Sequence, residues 1–201
     1  MVLQLEQKVE KPEVKRHSIT LDEYERMCEA DVFDEDARIE LIRGEIVDMA
    51  PPGPEHEAGT ARLDRIFNKV VGDGALVWPQ GNAVRLPQSN SRPQPDITIL
   101  QWRDDFYAGK RPLPEDVILL VEVSKSTLKY DRGEKLTLYA EAGISEYWVV
   151  NITKGVIEVY TEPAESKYQS VRVARRGETL QLPGGLEGSI AVSDVLGQGS
   201  R

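Results

Sequence analysis

Glu122 follows five consecutive apolar residues, Val117-Ile-Leu-Leu-Val121, a run continuous enough for a β-strand buried on both faces. An ionised carboxylate taken from water into such a setting costs several kcal/mol unless it is paired or bound to a metal. Glu122 therefore either emerges at the wet end of its strand or serves a purpose inside. Side chains alternate along a strand, so Glu122 shares a face with Leu120 and Ser124 while Val121 and Val123 point the other way. Asp96 follows Pro95 and opens a second strand-like run, Ile97-Thr-Ile-Leu100. Alone, an aspartate before a strand is ordinary turn chemistry. Together, two acids on adjacent core strands make a hard-oxygen site of the kind Mg²⁺ takes, where one or two carboxylates suffice and water and a substrate phosphate complete the shell.

Downstream, Asp131 and Glu134 have the spacing of a helix N-cap and its reciprocal partner, which predicts a helix over about 132–142 with Lys135 in its first turn. A cation there opposes the helix dipole at a cost of about a few tenths of a kcal/mol. It either pairs with Asp131 in solvent or reaches back to the carboxylate pair, where its ammonium would orient a water or stabilise a phosphorane-like state.

These residues need a sheet and covering helices to hold them. Thr20 and Glu23 form a capping box ahead of a short helix over 21–29, and Arg38–Met49 reads as a hairpin turning at Arg43-Gly44. Three prolines at 51, 52 and 54 break the chain before a longer helix over 55–71, ended by Gly72. Strands are expected over 75–86, 96–100 and 116–124. A buried strand over 146–151 hairpins into 156–160, and one or two alternating strands follow over 168–182. Helices and strands alternate in the middle and hairpins flank them, so the class is α/β or α+β, a mixed sheet covered by helices. Residues 1–17 read as a flexible lead-in and 18–201 as a single domain.

Composition narrows the functions available. The 201 residues carry a net charge of −9, with 25 Lys and Arg against 34 Asp and Glu, which argues against indiscriminate coating of nucleic acid. A local basic patch and a bound cation remain compatible with that total. No apolar run approaches the roughly 18 residues of a membrane span, and the first residues lack the pattern of a secretory signal. A cytoplasmic protein is the expectation. Its one cysteine, Cys28, reads as a structural thiol, and with only His17 and His56 a Ser/His/Asp triad is poorly supported. Aromatic content of 6% argues against the sugar platforms of a carboxylate-pair glycosidase.

Pro95-Asp96 with Glu122-Val-Ser124 resembles the PD-(D/E)XK motif of the restriction-endonuclease-like superfamily, with Ser124 standing where that motif has its lysine. The long run Leu120–Val150 looks very much like the Uma2 (DUF820) family, which carries Glu-Val-Ser here and a lysine on the next helix, mapping to Lys135. The likeness extends to Ile39–Ile46, Pro51–His56 and Arg92–Asp96. It implies a restriction-endonuclease-like core and hydrolysis of DNA phosphodiesters, with Mg²⁺ or Mn²⁺ on Asp96 and Glu122 and Lys135 in the migrated lysine's place. A homodimer is common in the superfamily. Glu40 matches the position of an additional acid, although an exposed hairpin glutamate is the commoner reading. His56 could contact phosphate or act as a base, or simply cap the helix. Arg92, Lys125, Lys129 and Arg132 gather where a phosphate backbone would lie, or are solvated loop charges. The alternative to an enzyme is a catalytically inactive nuclease-fold module that binds nucleic acid or a protein partner.

Overall fold

A computed structural model describes residues 15–34 and 36–197. The expected lead-in over 1–17 lies almost wholly outside the described residues. Thr20 caps α1 (Leu21–Glu29) through the reciprocal contacts of a capping box with Glu23. The hairpin of β1 (Ile39–Ile42) and β2 (Glu45–Asp48) turns at Arg43 and Gly44, both at positive φ, which is the two-residue turn that suits the strand twist. The helix α2 (Pro54–Val71) starts with Pro54 in its first turn and stops at Gly72, at φ +53°.

Six strands form the main sheet, in the order β3 (Ala75–Pro79), β4 (Ile97–Gln101), β5 (Val117–Ser124), β6 (Glu146–Asn151), β7 (Val156–Ala164) and β8 (Lys167–Arg175). Every neighbouring pair is antiparallel except β5 and β6, so the sheet is mixed as expected. A parallel pair needs a crossover, and here it is helical: α3 (Leu128–Tyr130), a π-helical turn (Asp131–Lys135) and α4 (Leu136–Glu141). A small ribbon, β9 (Thr179–Gln181) with β10 (Ser189–Ala191), and the short helix α5 (Val192–Leu196) complete the chain.

The alternation along β5 divides the core. Leu119, Val121 and Val123 face α2 with Leu63, Phe67 and Trp148, whereas Leu120 faces α4 with Leu138, Tyr139 and Tyr147. Glu122 and Ser124 lie on the α4 side, as the period of two requires. A third cluster, Leu21, Tyr24, Ile39 and Leu41, binds α1 to the first hairpin.

Two boundaries depart from expectation. The strand foreseen over 75–86 ends at Pro79, because Gly81 at φ +94° turns the chain away. The helix foreseen from 132 already begins at Leu128, so Asp131 sits inside the helical crossover and caps nothing. Lys135 is then mid-helix, and the expected opposition to the dipole of a first turn disappears.

Candidate active site

At the C-terminal end of β5 the sheet, the first hairpin and the start of α2 enclose a cleft of about 770 Å³. Glu40, His56, Asp96, Glu122, Asp131 and Lys135 all line it. The sequence separates Glu40 from Lys135 by 95 positions, and only the fold joins them. β1 is buried along its whole length: Ile39 and Leu41 pack against α1, and the alternation turns Glu40 and Ile42 to the opposite face toward the helical crossover, which leaves Glu40 1% exposed. The reading of Glu40 as an exposed hairpin residue is thereby excluded.

Lys135 is 2% exposed, and its Nζ donates to Glu122 Oε1 at 2.8 Å and to Glu40 Oε1 at 3.0 Å. The lysine therefore reaches the carboxylates and does not pair with Asp131 in solvent. Tyr139 OH donates to the same Glu122 oxygen at 3.0 Å. Asp96 accepts from Gln80 Nε2 at 2.6 Å, from the backbone N–H of Val123 at 2.8 Å and from His56 Nε2 at 3.0 Å. A carboxylate can only accept, so His56 presents its Nε2 proton to Asp96 and, when neutral, a lone pair at Nδ1. Gly59 makes that contact reachable: a Cβ there would stand 3.0 Å from Val123, so glycine lets α2 close onto β5.

Among the described residues, two polar atoms of this cleft are buried without a partner, Glu40 Oε2 and His56 Nδ1. Such atoms normally find a partner, and their exceptions concentrate at functional sites. The charge is unbalanced as well. Glu40, Asp96, Glu122 and Asp131 are all buried beside one ammonium. Burial pushes Glu122 well above its ordinary 4.5, and the neighbouring charges of Asp96, Asp131 and Glu40 add to the rise against Lys135. For Lys135 burial works downward, but Glu122, Glu40 and Asp131 outweigh it and hold the ammonium charged. Burial also raises Asp131, and burial with the charges of Glu122 and Glu40 keeps Tyr139 a protonated donor.

The donor set is one that hard cations take: carboxylate oxygens, with the buried Glu40 Oε2 unengaged, around an excess of negative charge that another cation would relieve. Among the described residues no three His, Cys, Asp or Glu side chains form a ready-made cage. Mg²⁺ does not need one, since it keeps several waters and takes one or two carboxylates.

The cations expected to meet phosphate separate on folding. Lys125 lines the cleft, more than half exposed, and pairs with Glu55 at 2.7 Å; Lys129 is exposed. Arg92 is 8% exposed, with its guanidinium over the Tyr24 ring and beside Cys28 Sγ, so it ties the hairpin to α1 and is corrected to a structural cation. Arg132 is not among the residues that line the cleft, and the Nε/Nη2 edge of its guanidinium is held by both oxygens of Glu158. Sequence reasoning missed Gln80 and Tyr139. Tyr139 lies four residues after Lys135, one helical turn on the same face, and that spacing was a usable signal.

Known proteins agree with this architecture. A solved structure from Anabaena variabilis ATCC 29413, described as "a putative nuclease belonging to DUF820", superposes with a TM-score of 0.68 over 89% of this chain and 97% of that one. Their sequences are 18% identical, so the likeness carries the fold. No curated protein sequence matches the chain. Among the described residues no helix is long and apolar enough to cross a membrane. The Uma2 family model, described as "Putative restriction endonuclease", matches residues 21–193, and the chain belongs to that family.

Proposed function

We propose that this protein is a divalent-metal-dependent endonuclease that hydrolyses DNA phosphodiesters at the cleft. The observation that carries the reading is the unpartnered, buried Glu40 Oε2 beside Glu122 and Asp96, an excess of buried carboxylate that a bound cation would satisfy. Asp96 and Glu122 would hold Mg²⁺ or Mn²⁺, with Glu40 as the additional acid. What such a cation supplies when bound is Lewis acidity toward a phosphoryl oxygen and a lowered pKa of water.

The chain's own groups have separable tasks. Lys135 and Tyr139 hold Glu122 Oε1 from one side, which fixes the carboxylate and leaves the ammonium close to where phosphoryl charge would develop. Gln80 and the Val123 N–H fix Asp96. His56 Nδ1 is a candidate to accept a proton from the attacking water, with Asp96 steadying the imidazolium that results. Lys125, on the cleft, and Lys129, exposed on the helix that follows, would contact the backbone of a bound strand, positioning it without reading its sequence.

Supercoiled plasmid and a single-stranded oligonucleotide, incubated with Mg²⁺ or Mn²⁺, test the reading beside EDTA and the Asp96→Ala and Glu122→Ala proteins. Cleavage by the wild type alone is expected. No cleavage with either metal, or equal cleavage by the variants, would overturn it and favour a module that binds without cutting.

A further inference from the structure

Resting on that reading, we infer that Ser124, Thr127 and Asp131 form a positioning clamp that fixes the π-helical turn and thereby delivers Lys135 between Glu40 and Glu122. Asp131 is 2% exposed and Ser124 is fully buried. Ser124 Oγ and Thr127 Oγ1 both donate to Asp131 Oδ2 at 2.6 Å, short distances that fit hydroxyls bonding an acid. The carbonyl of the same residue is pinned too. It accepts the N–H of Leu136, five residues on, and the hydroxyl of Tyr147 at 3.1 Å. Asp131 is therefore tied to the end of β5, to the loop after it and to β6.

This residue opens the π-helical turn and Lys135 closes it. A π turn holds one residue more than an α turn, so it re-aims the side chains that follow it, and such turns recur at functional sites. The wide turn is intrinsically poor and persists only where contacts over-determine it. The clamp supplies those contacts at the N-terminal end of the turn, and the two glutamates receive the lysine at its C-terminal end.

The clamp also gives a physical reason for Ser124. It lies on the face of Glu122, two residues on, and is fully buried against Asp131. A lysine there would remove the hydroxyl that holds Asp131 and place a second ammonium in the same enclosure. The small hydroxyl and the helix-borne lysine thus form a matched pair. A direct role for Asp131 as a metal ligand makes a different forecast, because loss of either hydroxyl would then weaken cleavage without uncovering Lys135.

The test uses the full chain with Ser124→Ala, Ser124→Thr, Thr127→Val and Thr127→Ser, each checked for folding by circular dichroism. Lys135 accessibility is read by acetylation with an N-hydroxysuccinimide ester and peptide mass mapping, and plasmid cleavage gives kcat and KM. Loss of a hydrogen bond to a charged group corresponds to about a tenfold to hundredfold effect. Ser124→Ala and Thr127→Val should label Lys135 faster by that factor and lose kcat comparably at unchanged KM, while Ser124→Thr and Thr127→Ser behave as wild type. Thr127 is only half-buried, so Thr127→Val keeps the test alive should Ser124→Ala fail to fold. Unchanged protection of Lys135 in the folded Ala and Val variants overturns the clamp, as does opening without loss of kcat. A wild type that cleaves nothing overturns the preceding reading of the site, and the labelling then decides the clamp by itself.

Discussion

Lys135 and Arg132 leave the same helical turn in different directions, and each meets a buried glutamate. Arg132 donates to both oxygens of Glu158, which also accept from Tyr160 OH at 2.8 Å and Asn151 Nδ2 at 3.3 Å. Burial acts to raise Glu158, but these hydrogen bonds, led by Arg132, win and hold it below the ordinary carboxylate value. Glu122 is driven the other way, first by its complete burial and then by the charges of Asp96, Asp131 and Glu40, against one ammonium that it shares with Glu40. One network is closed and satisfied, and neither Arg132 nor Glu158 lines the cleft. The other lines the cleft and leaves Glu40 Oε2 unmet. Buried charge alone thus marks no site; buried charge left incomplete does.

The comparison breaks most sharply at Lys135. Lys135→Met leaves Glu40 and Glu122 buried without their cation, which should cost about 3–5 kcal/mol in urea unfolding and abolish plasmid cleavage. Arg132→Met should also destabilise the fold, yet retain cleavage of whatever fraction remains folded. Loss of activity on both sides would erase the distinction.

Glu40→Gln separates function from stability. The change relieves acid repulsion, so unfolding free energy should move by no more than about 1 kcal/mol, while kcat falls roughly a hundredfold. A strongly destabilised but active variant would make Glu40 structural.

Tyr139→Phe removes one donor to Glu122 and should lower kcat by about tenfold, the effect of one hydrogen bond to a charged acceptor. Tyr160→Phe, the matching change at Glu158, should leave kcat unaltered.

The two glutamates should also differ in their response to pH. Glu158 is depressed from 4.5, so its stabilisation is present above pH 4.5 and is lost as pH falls through the lower folded value. Glu122 is raised, so its contribution is full below 4.5 and is lost as pH climbs toward the raised folded value. Denaturation at pH 7 and pH 3 should therefore show Glu158→Gln losing about 1 kcal/mol at the higher pH and little at the lower. A loss that grows on acidification would reverse the assignment.

The smallest effect belongs to the rim. Lys125→Ala breaks an exposed pair with Glu55 and should shift stability by less than about 0.5 kcal/mol, but lower the salt dependence of DNA binding by about one counterion. An unchanged salt slope would remove Lys125 from the substrate path.

Local chemistry was legible without the fold wherever neighbours in sequence are partners in space. The Thr20–Glu23 capping box, the Arg43-Gly44 turn and the apolar run that buries β5 all depend on residues within a few positions of one another. The same local logic misled at Asp131, where capping-box spacing imitated a helix start, although the helical crossover already begins at Leu128 and Ser124, Thr127 and Tyr147 hold Asp131 inside it. It misled at Arg92 too, since nothing near that residue foretells Tyr24 and Cys28.

The sequence by itself determined the acids, the lysine and the strand that buries Glu122, because residue type and period are written along the chain. Only the tertiary structure decided that Glu40 crosses to Lys135, that Gln80 and His56 close on Asp96, and that Arg132 is spent on Glu158. Those pairings join residues from 16 to 95 positions apart. Their existence depends on how α1, α2 and the helical crossover stack on the sheet, which no local propensity encodes.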